Sequence, residues 1–336
     1  MARQDRLFAD VDRGFNALEQ GNIEEAIAAL ERCSRIDRHN ADVVALAAAL
    51  ADAQGEVDTA LAKYTELAQL RPDDPMPKVC LARIQLHDVG DPDAALDTID
   101  SAFDFIDEEA DLIEAVMVRS EALIATDDLE GARTSLSELS TSVIEDGELA
   151  LDLAELCLAA EDTTTALKWV DTAQKQDATK ADAYHLLGRI HEAREERDEM
   201  IAAWQEVRKL DASTPDGPVT MSEDEMERVA SETLQELPDD VAKKLEQVPI
   251  MIDDSPSEDL VADGLDPRAL GVFNGASMAE TGVTPTVTNI MLFKKNLERM
   301  ASDLDHLADE IRITVLHETA HYFGLEEDDL EKIGLD

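Results

Sequence analysis

From its start to about Pro215 the chain alternates polar turns with stretches in which small and apolar residues recur at helical spacing, and the whole pattern repeats. Gly21-Asn22-Ile23-Glu24-Glu25-Ala26-Ile27 recurs as Gly55-Glu56-Val57-Asp58-Thr59-Ala60-Leu61 and Gly90-Asp91-Pro92-Asp93-Ala94-Ala95-Leu96. It returns as Asp127-Asp128-Leu129-Glu130-Gly131-Ala132, Glu161-Asp162-Thr163-Thr164-Thr165-Ala166-Leu167 and Arg197-Asp198-Glu199-Met200-Ile201. The anchors Ala26, Ala60, Ala95, Ala132, Ala166 and Met200 are 34 to 37 residues apart, the period of a helix–turn–helix repeat. A small residue at the anchor lets the paired helices approach closely. About six copies predict an α-solenoid, whose groove suits a protein or peptide partner.

The pattern breaks at Asp211-Ala212-Ser213-Thr214-Pro215-Asp216-Gly217-Pro218, which divides the chain into domains over 1–215 and 219–336. Ser222 with Glu225 forms a capping box for a helix to about Leu237, and Asp239 and Asp240 open a short helix to about Gln247. Val248–Ile252 reads as a first strand, followed by a loop over 253–268. Ala269–Phe273 reads as a second strand closed by an Asn274-Gly275 turn, and Val287–Phe293 as a third. Chain order alone makes Ile290–Phe293 the sheet's edge, open to an extended substrate. Helices are expected from Lys294 to Met300 and from near Asp305 to Phe323. The expected class is mainly α: a solenoid, then a small α+β domain with a short three-stranded sheet.

Composition narrows the partners. With 29 Lys and Arg against 77 Asp and Glu, the formal charge is -48, which repels nucleic acid and anionic membranes alike. Cys33, Cys80 and Cys157 are odd in number and widely spaced, and read as small buried hydrophobes rather than a disulfide frame. The opening Met1–Arg6 is followed by no apolar run and no stretch is long enough to span a bilayer, so the expected location is cytoplasmic. Oligomeric state is not readable.

The candidate chemistry lies near the C-terminus, in His317-Glu318-Thr319-Ala320-His321-Tyr322-Phe323-Gly324. Histidines four apart share a helix face, so His317 and His321 can bind one zinc ion, with Glu318 as the base that takes a proton from attacking water. Gly324 suits a turn back toward the metal. Glu327, ten residues after His317, is the candidate third ligand, with Asp328 the alternative; both also suit the first turn of a short helix. His185 and His191 read as groove or packing residues.

Two resemblances rest on these residues. The last repeat, with Tyr184, Leu187, Gly188 and His191 on one helix and Trp204 and Val207 on the next, resembles the tetratricopeptide repeat. Residues from about Leu237 to Leu330 resemble the small bacterial zincin-like metallopeptidases. That likeness rests on Leu237-Pro238, Val248–Asp254, Leu270-Gly271-Val272-Phe273-Asn274-Gly275, Ile290-Met291-Leu292-Phe293 and the histidine motif with the acids behind it. It implies a zinc peptidase in which the acid at Glu327 is the third ligand. The chain departs from the larger metzincins in having no third histidine. A rival reading is a non-catalytic repeat adaptor carrying a metal-stabilised or inactive zincin-like domain.

Overall fold

The computed structural model describes residues 3–214, 217–237, 245, 248–276 and 286–322, with backbone alone at 275–276, 286–288 and 321–322. Those residues are mainly helical, with sixteen α-helices and three strands. They pack as two compact units, Met1–Lys175 and Gln176–Asp336. Among the described residues no helix is long and apolar enough to cross a membrane.

The first unit consists of five helical hairpins. These are α1 (Arg3–Glu19) with α2 (Ile23–Asp37), α3 (Ala41–Ala53) with α4 (Val57–Leu70), and α5 (Met76–His87) with α6 (Pro92–Asp100). Then come α7 (Glu109–Ala125) with α8 (Leu129–Ser137) and α9 (Gly147–Ala159) with α10 (Thr163–Ala173). Ala26, Ala60, Ala95, Ala132 and Ala166 are all buried where the paired helices meet. Cys33 and Cys157 are buried and Cys80 is half-buried, all as free thiols. Burial pushes the Cys157 thiol up to about 12, so it is inert as a nucleophile.

One backbone device makes every hairpin turn. The residue that leaves the first helix has positive φ: Gly21, Gly55, Gly90, Asp127 and Glu161 here, and Glu195 in the second unit. The next residue caps the second helix in four of these turns. Asn22, Asp91, Asp128 and Asp162 each accept the N–H three positions on, satisfying a donor the helix leaves open. The repeating polar signature is therefore a left-handed residue followed by a cap.

The second unit begins with a sixth hairpin, α11 (Lys180–Ala193) and α12 (Arg197–Asp211). Gly188 lies against the Trp204 indole, where any Cβ would collide with the ring. The remaining elements are α13 (Glu223–Gln235), β1 (Ile250–Asp253), α14 (Glu258–Ala262), β2 (Gly271–Ala276), β3 (Thr286–Phe293), α15 (Lys294–Met300) and α16 (Leu304–Tyr322). The Ser222–Glu225 capping box starts α13. The short helix expected over 239–247 lies outside the described residues save Leu245, which is buried.

Two expectations about the sheet are corrected. The strand order is β1-β3-β2, so β3 is central, pairing parallel with β1 and antiparallel with β2. Ile290 and Leu292 are fully buried on it, and both of its edges carry pairing, so it cannot be the open edge. Asn274 and Gly275 form no turn; β2 continues through them to Ala276 with a bulge between the two. The loop after β1 also contains a helix, α14. Met226 and Val229 of α13, Leu297 of α15, and Leu307, Ile311 and Val315 of α16 close the core over the sheet.

Composition changes character near Pro215, but packing joins α12 to α14 and the loops beside it. Val261 of α14 packs with Met200, Trp204 and Val207 of α12. Arg197 Nη2 donates to the Asp263 carbonyl at 2.6 Å, Gln205 Nε2 to that of Glu258 at 2.9 Å, and Arg208 Nε to that of Pro256 at 2.9 Å. The side chains of one helix thus satisfy backbone groups of the segment opposite.

Glu161 and Glu195 hold the left-handed conformation with a Cβ, at a cost of about 1–2 kcal/mol that glycine avoids. Part of that gain is offset by glycine's greater freedom in the unfolded chain. Glu161→Gly and Glu195→Gly are each expected to stabilise the protein by roughly 0.5–1 kcal/mol. The check is a denaturant midpoint that rises with unchanged slope; a fall at both positions contradicts the strain argument.

Candidate functional site

Helix α16 carries the histidine motif, and its polar start and apolar stripe determine which way the motif faces. Asp303 accepts the N–H of His306 at 2.9 Å before the first turn. Leu307, Ile311 and Val315 recur every four residues and are fully buried against the sheet and α13. One turn further, Glu318 and Thr319 reach the same buried side, at 8 % and 4 % exposure. The stripe that seats the helix therefore draws an acidic side chain inward.

The Glu318 carboxylate is answered by the sheet. Its Oε2 accepts the backbone N–H of Phe273 on β2 at 2.7 Å. A hydrogen bond to an ionised group contributes about 1.5–3 kcal/mol and orients the acceptor. The approach depends on Gly271, two residues earlier on β2. A Cβ there would lie 2.7 Å from Thr314 Cγ2 and 3.1 Å from the Met291 carbonyl oxygen. Glycine thus brings α16 close enough for Glu318 to reach the strand.

His317 precedes Glu318 and is half-buried. The helix continues without a break through His321, so the histidines are spaced one turn apart, about 6 Å along the axis. For His321 the backbone is described. Gly324, Glu327 and Asp328 lie outside the described residues, and with them the candidate third ligand. Among the described residues, no three His, Cys, Asp or Glu side chains are grouped to hold a metal ion. Two histidines one turn apart in the helix backbone, with the carboxylate between them in sequence anchored to the sheet, are nonetheless residue types whose chemistry fits zinc.

The other histidines singled out from sequence have local partners. His191 Nδ1 lies 2.7 Å from Glu196 Oε2. His185 Nε2 is 3.0 and 2.9 Å from the two carboxylate oxygens of Asp266. Burial pushes the Asp266 carboxyl upward, but His185 and the Arg268 N–H outweigh it and hold the group below the usual carboxylate range. Sequence reasoning missed Gly271 and Phe273 as parts of the site; a glycine inside a short strand was the available signal.

The zincin-like metallopeptidase family model matches residues 245–335, and the tetratricopeptide repeat model matches residues 17–75. The chain joins a tetratricopeptide-repeat region to a zincin-like domain. Among solved structures, PilW, a widely conserved type IV pilus biogenesis factor, is similar at TM-score 0.52 and 13% identity, covering 62% of this chain and 94% of its own. PilF of Pseudomonas aeruginosa is similar at TM-score 0.50 and 17% identity, covering 63% and 95%. A tetratricopeptide repeat protein of Parabacteroides merdae aligns at TM-score 0.44 and 16% identity, covering 61% and 78%. For PilW and PilF, at such identities, the likeness is one of fold. No curated protein matches the sequence.

Gly271→Ala is expected to destabilise the zincin-like domain by about 1–3 kcal/mol, because Thr314 is stiff and the Met291 carbonyl is backbone. Thr314→Ser removes the obstructing methyl, so adding it should recover part of that loss. Thermal unfolding of the two single variants and the double measures the coupling, and strict additivity would refute the contact.

Proposed function

We propose that the C-terminal domain is a zinc-dependent peptidase and that the repeats bring it protein substrates or partners. The observation that carries this reading is the buried Glu318 carboxylate, anchored to Phe273 on the strand beside a helix with histidines on either side of it. His317 and His321 hold the ion by ring nitrogens, and Glu327 supplies a carboxylate oxygen, with Asp328 the alternative. Zinc, when bound, supplies Lewis-acid polarisation of a carbonyl and of water. Glu318 accepts the proton of the attacking water and delivers it to the leaving amine. Phe273 holds one oxygen of Glu318, so the carboxylate meets water in a fixed orientation rather than searching for it.

Support comes from three directions. The zincin-like match spans the motif. Helix α16 carries the spacing unbroken. The base candidate is buried and hydrogen-bonded rather than solvated, as an oriented base requires. The repeat region supports recruitment, since repeats of this kind present extended surfaces to other proteins.

Elemental mass analysis of the full-length protein tests the reading. One zinc per chain is expected, retained in Glu318→Gln and lost in His317→Ala. Hydrolysis of a peptide library should fall by roughly 10²–10⁴-fold in Glu318→Gln. Undiminished turnover in that variant refutes the base assignment. Absence of zinc from every form after supplementation leaves the repeat array as the working part.

A further inference from the structure

The strand that holds Glu318 is itself held, and several of the groups that hold it come from the last helical hairpin. The segment Asp266–Ala269 leads into β2, and its residues are fixed from two sides. From α11, His185 Nε2 meets both oxygens of Asp266, and Asp182 Oδ1 accepts from Arg268 Nη1 at 2.6 Å. At the end of α12, Asp211 accepts from Arg268 Nε at 3.0 Å and from Nη2 at 3.3 Å, both oxygens engaged by one guanidinium. From α15, the buried Asn296 amide donates to the carbonyls of Pro267 at 3.0 Å and Ala269 at 2.7 Å. Beyond this clamp, the Phe293 N–H donates to the Leu270 carbonyl at 2.8 Å, and Phe273 lies three residues further on.

This arrangement exceeds what attachment of a loop requires. Arg268 is a planar fork with rigid donors, and three of them are engaged by two carboxylates on different helices. Its side chain is 22 % exposed and that of Asp211 16 %, so the pair works largely out of water, where geometry is enforced more strongly than at the surface. Asp266 is tied to α11, Arg268 to both α11 and α12, and the carbonyls on either side of Arg268 to Asn296 of α15, so three helices fix four consecutive residues. A bond of 2.7 Å at Phe273 does not survive a shift of about 1 Å in the strand that presents it.

We propose that the hairpin of α11 and α12 is a positioning element of the candidate active site, acting through Arg268. Asp182 and Asp211 hold the guanidinium, the guanidinium fixes the entry to β2, and β2 presents the Phe273 N–H to Glu318. The effect on turnover rests on the peptidase reading; the effect on the geometry at Phe273 does not. A helical pair that reads in sequence as one more repeat is, on this view, part of the site's framework.

Hydrogen exchange resolved at single amides tests this in the full-length protein, comparing wild type with Arg268→Ala, Arg268→Lys and Asp182→Asn. The expected result is exchange at Phe273 at least about tenfold faster in Arg268→Ala, with the Ile290 and Leu292 amides of β3 unchanged. Arg268→Lys, which keeps the charge and loses the fork, should lie between, and Asp182→Asn should show a smaller acceleration. Zinc content should be unaffected, while kcat falls with little change in KM. Should Arg268→Ala not fold, the two milder variants decide. Unchanged exchange at Phe273 in the folded variants overturns the proposal, as does equal acceleration across β3, which marks general loosening. If wild type hydrolyses no peptide, the peptidase reading fails and the exchange result still decides the positioning role.

Discussion

A carboxylate carried to the sheet side of a helix must find a donor, and the geometry of the zincin-like domain turns on how Glu318 finds one. An edge strand keeps N–H groups that no neighbouring strand takes. Among the described strands β2 lies at the sheet's edge, and Phe273 gives its N–H to Glu318. For the bond to form, α16 must lie unusually close to β2, which the missing side chain at Gly271 allows. The helix must also present the right face, as it does because Leu307, Ile311 and Val315 sink into the core. Burial of those three residues therefore orients a fourth residue that is not apolar. The hydrophobic pattern sets the chemistry's direction, and the strand N–H makes the resulting burial tolerable.

Much of this was legible in the chain because the responsible physics is local. The repeat anchors are alanine in five copies and methionine in the sixth, and the anchors of all six are buried. The Ser222–Glu225 box depends on residues three apart, and the structure forms it as read. Helix α15 spans Lys294–Met300 as the pattern indicated. The features that escaped depend on contacts distant in sequence. Nothing within Ile290–Phe293 tells a central strand from an edge; β3 is central because it returns to β1 in parallel after a long connection. Asn274-Gly275 is a strong turn signal in isolation, yet pairing on to Ala276 converts it into a bulge. Of the candidate site, the helix and its spacing were readable, while Phe273 and Gly271 were not, since their role exists only where β2 meets α16.

The repeat turns show how one backbone requirement is met by different side chains. A residue with positive φ ends the first helix of each hairpin, filled by glycine in the first three copies and by an acidic residue in the last three. Glycine adopts this conformation freely, aspartate moderately well, and glutamate under strain. The strain persists because the flanking helices are locked by their buried anchors. Sequence similarity among the copies consequently fades at the turn while the geometry does not.

Cations are the scarce resource of this chain, 29 against 77 acids, so the places where they are used are informative. In the second unit Arg197 and Arg208 donate to loop carbonyls, and Arg268 and Arg299 converge on Asp211. Lys294 pairs with the buried Glu298 and also donates to the Met221 carbonyl, while Glu298 accepts the Met221 N–H at 2.9 Å. Partly buried ion pairs add little net stability, because desolvation cancels most of the attraction. Their effect is to penalise any arrangement in which a partner is missing. Among the described residues the sheet has three strands, and its flanking strands β1 and β2 are four and six residues long, so strand pairing alone gives little cooperative hold on the register. Directional bonds to Arg268, Asn296 and Lys294 supply that register instead, at the points where the chain enters β2 and leaves β3.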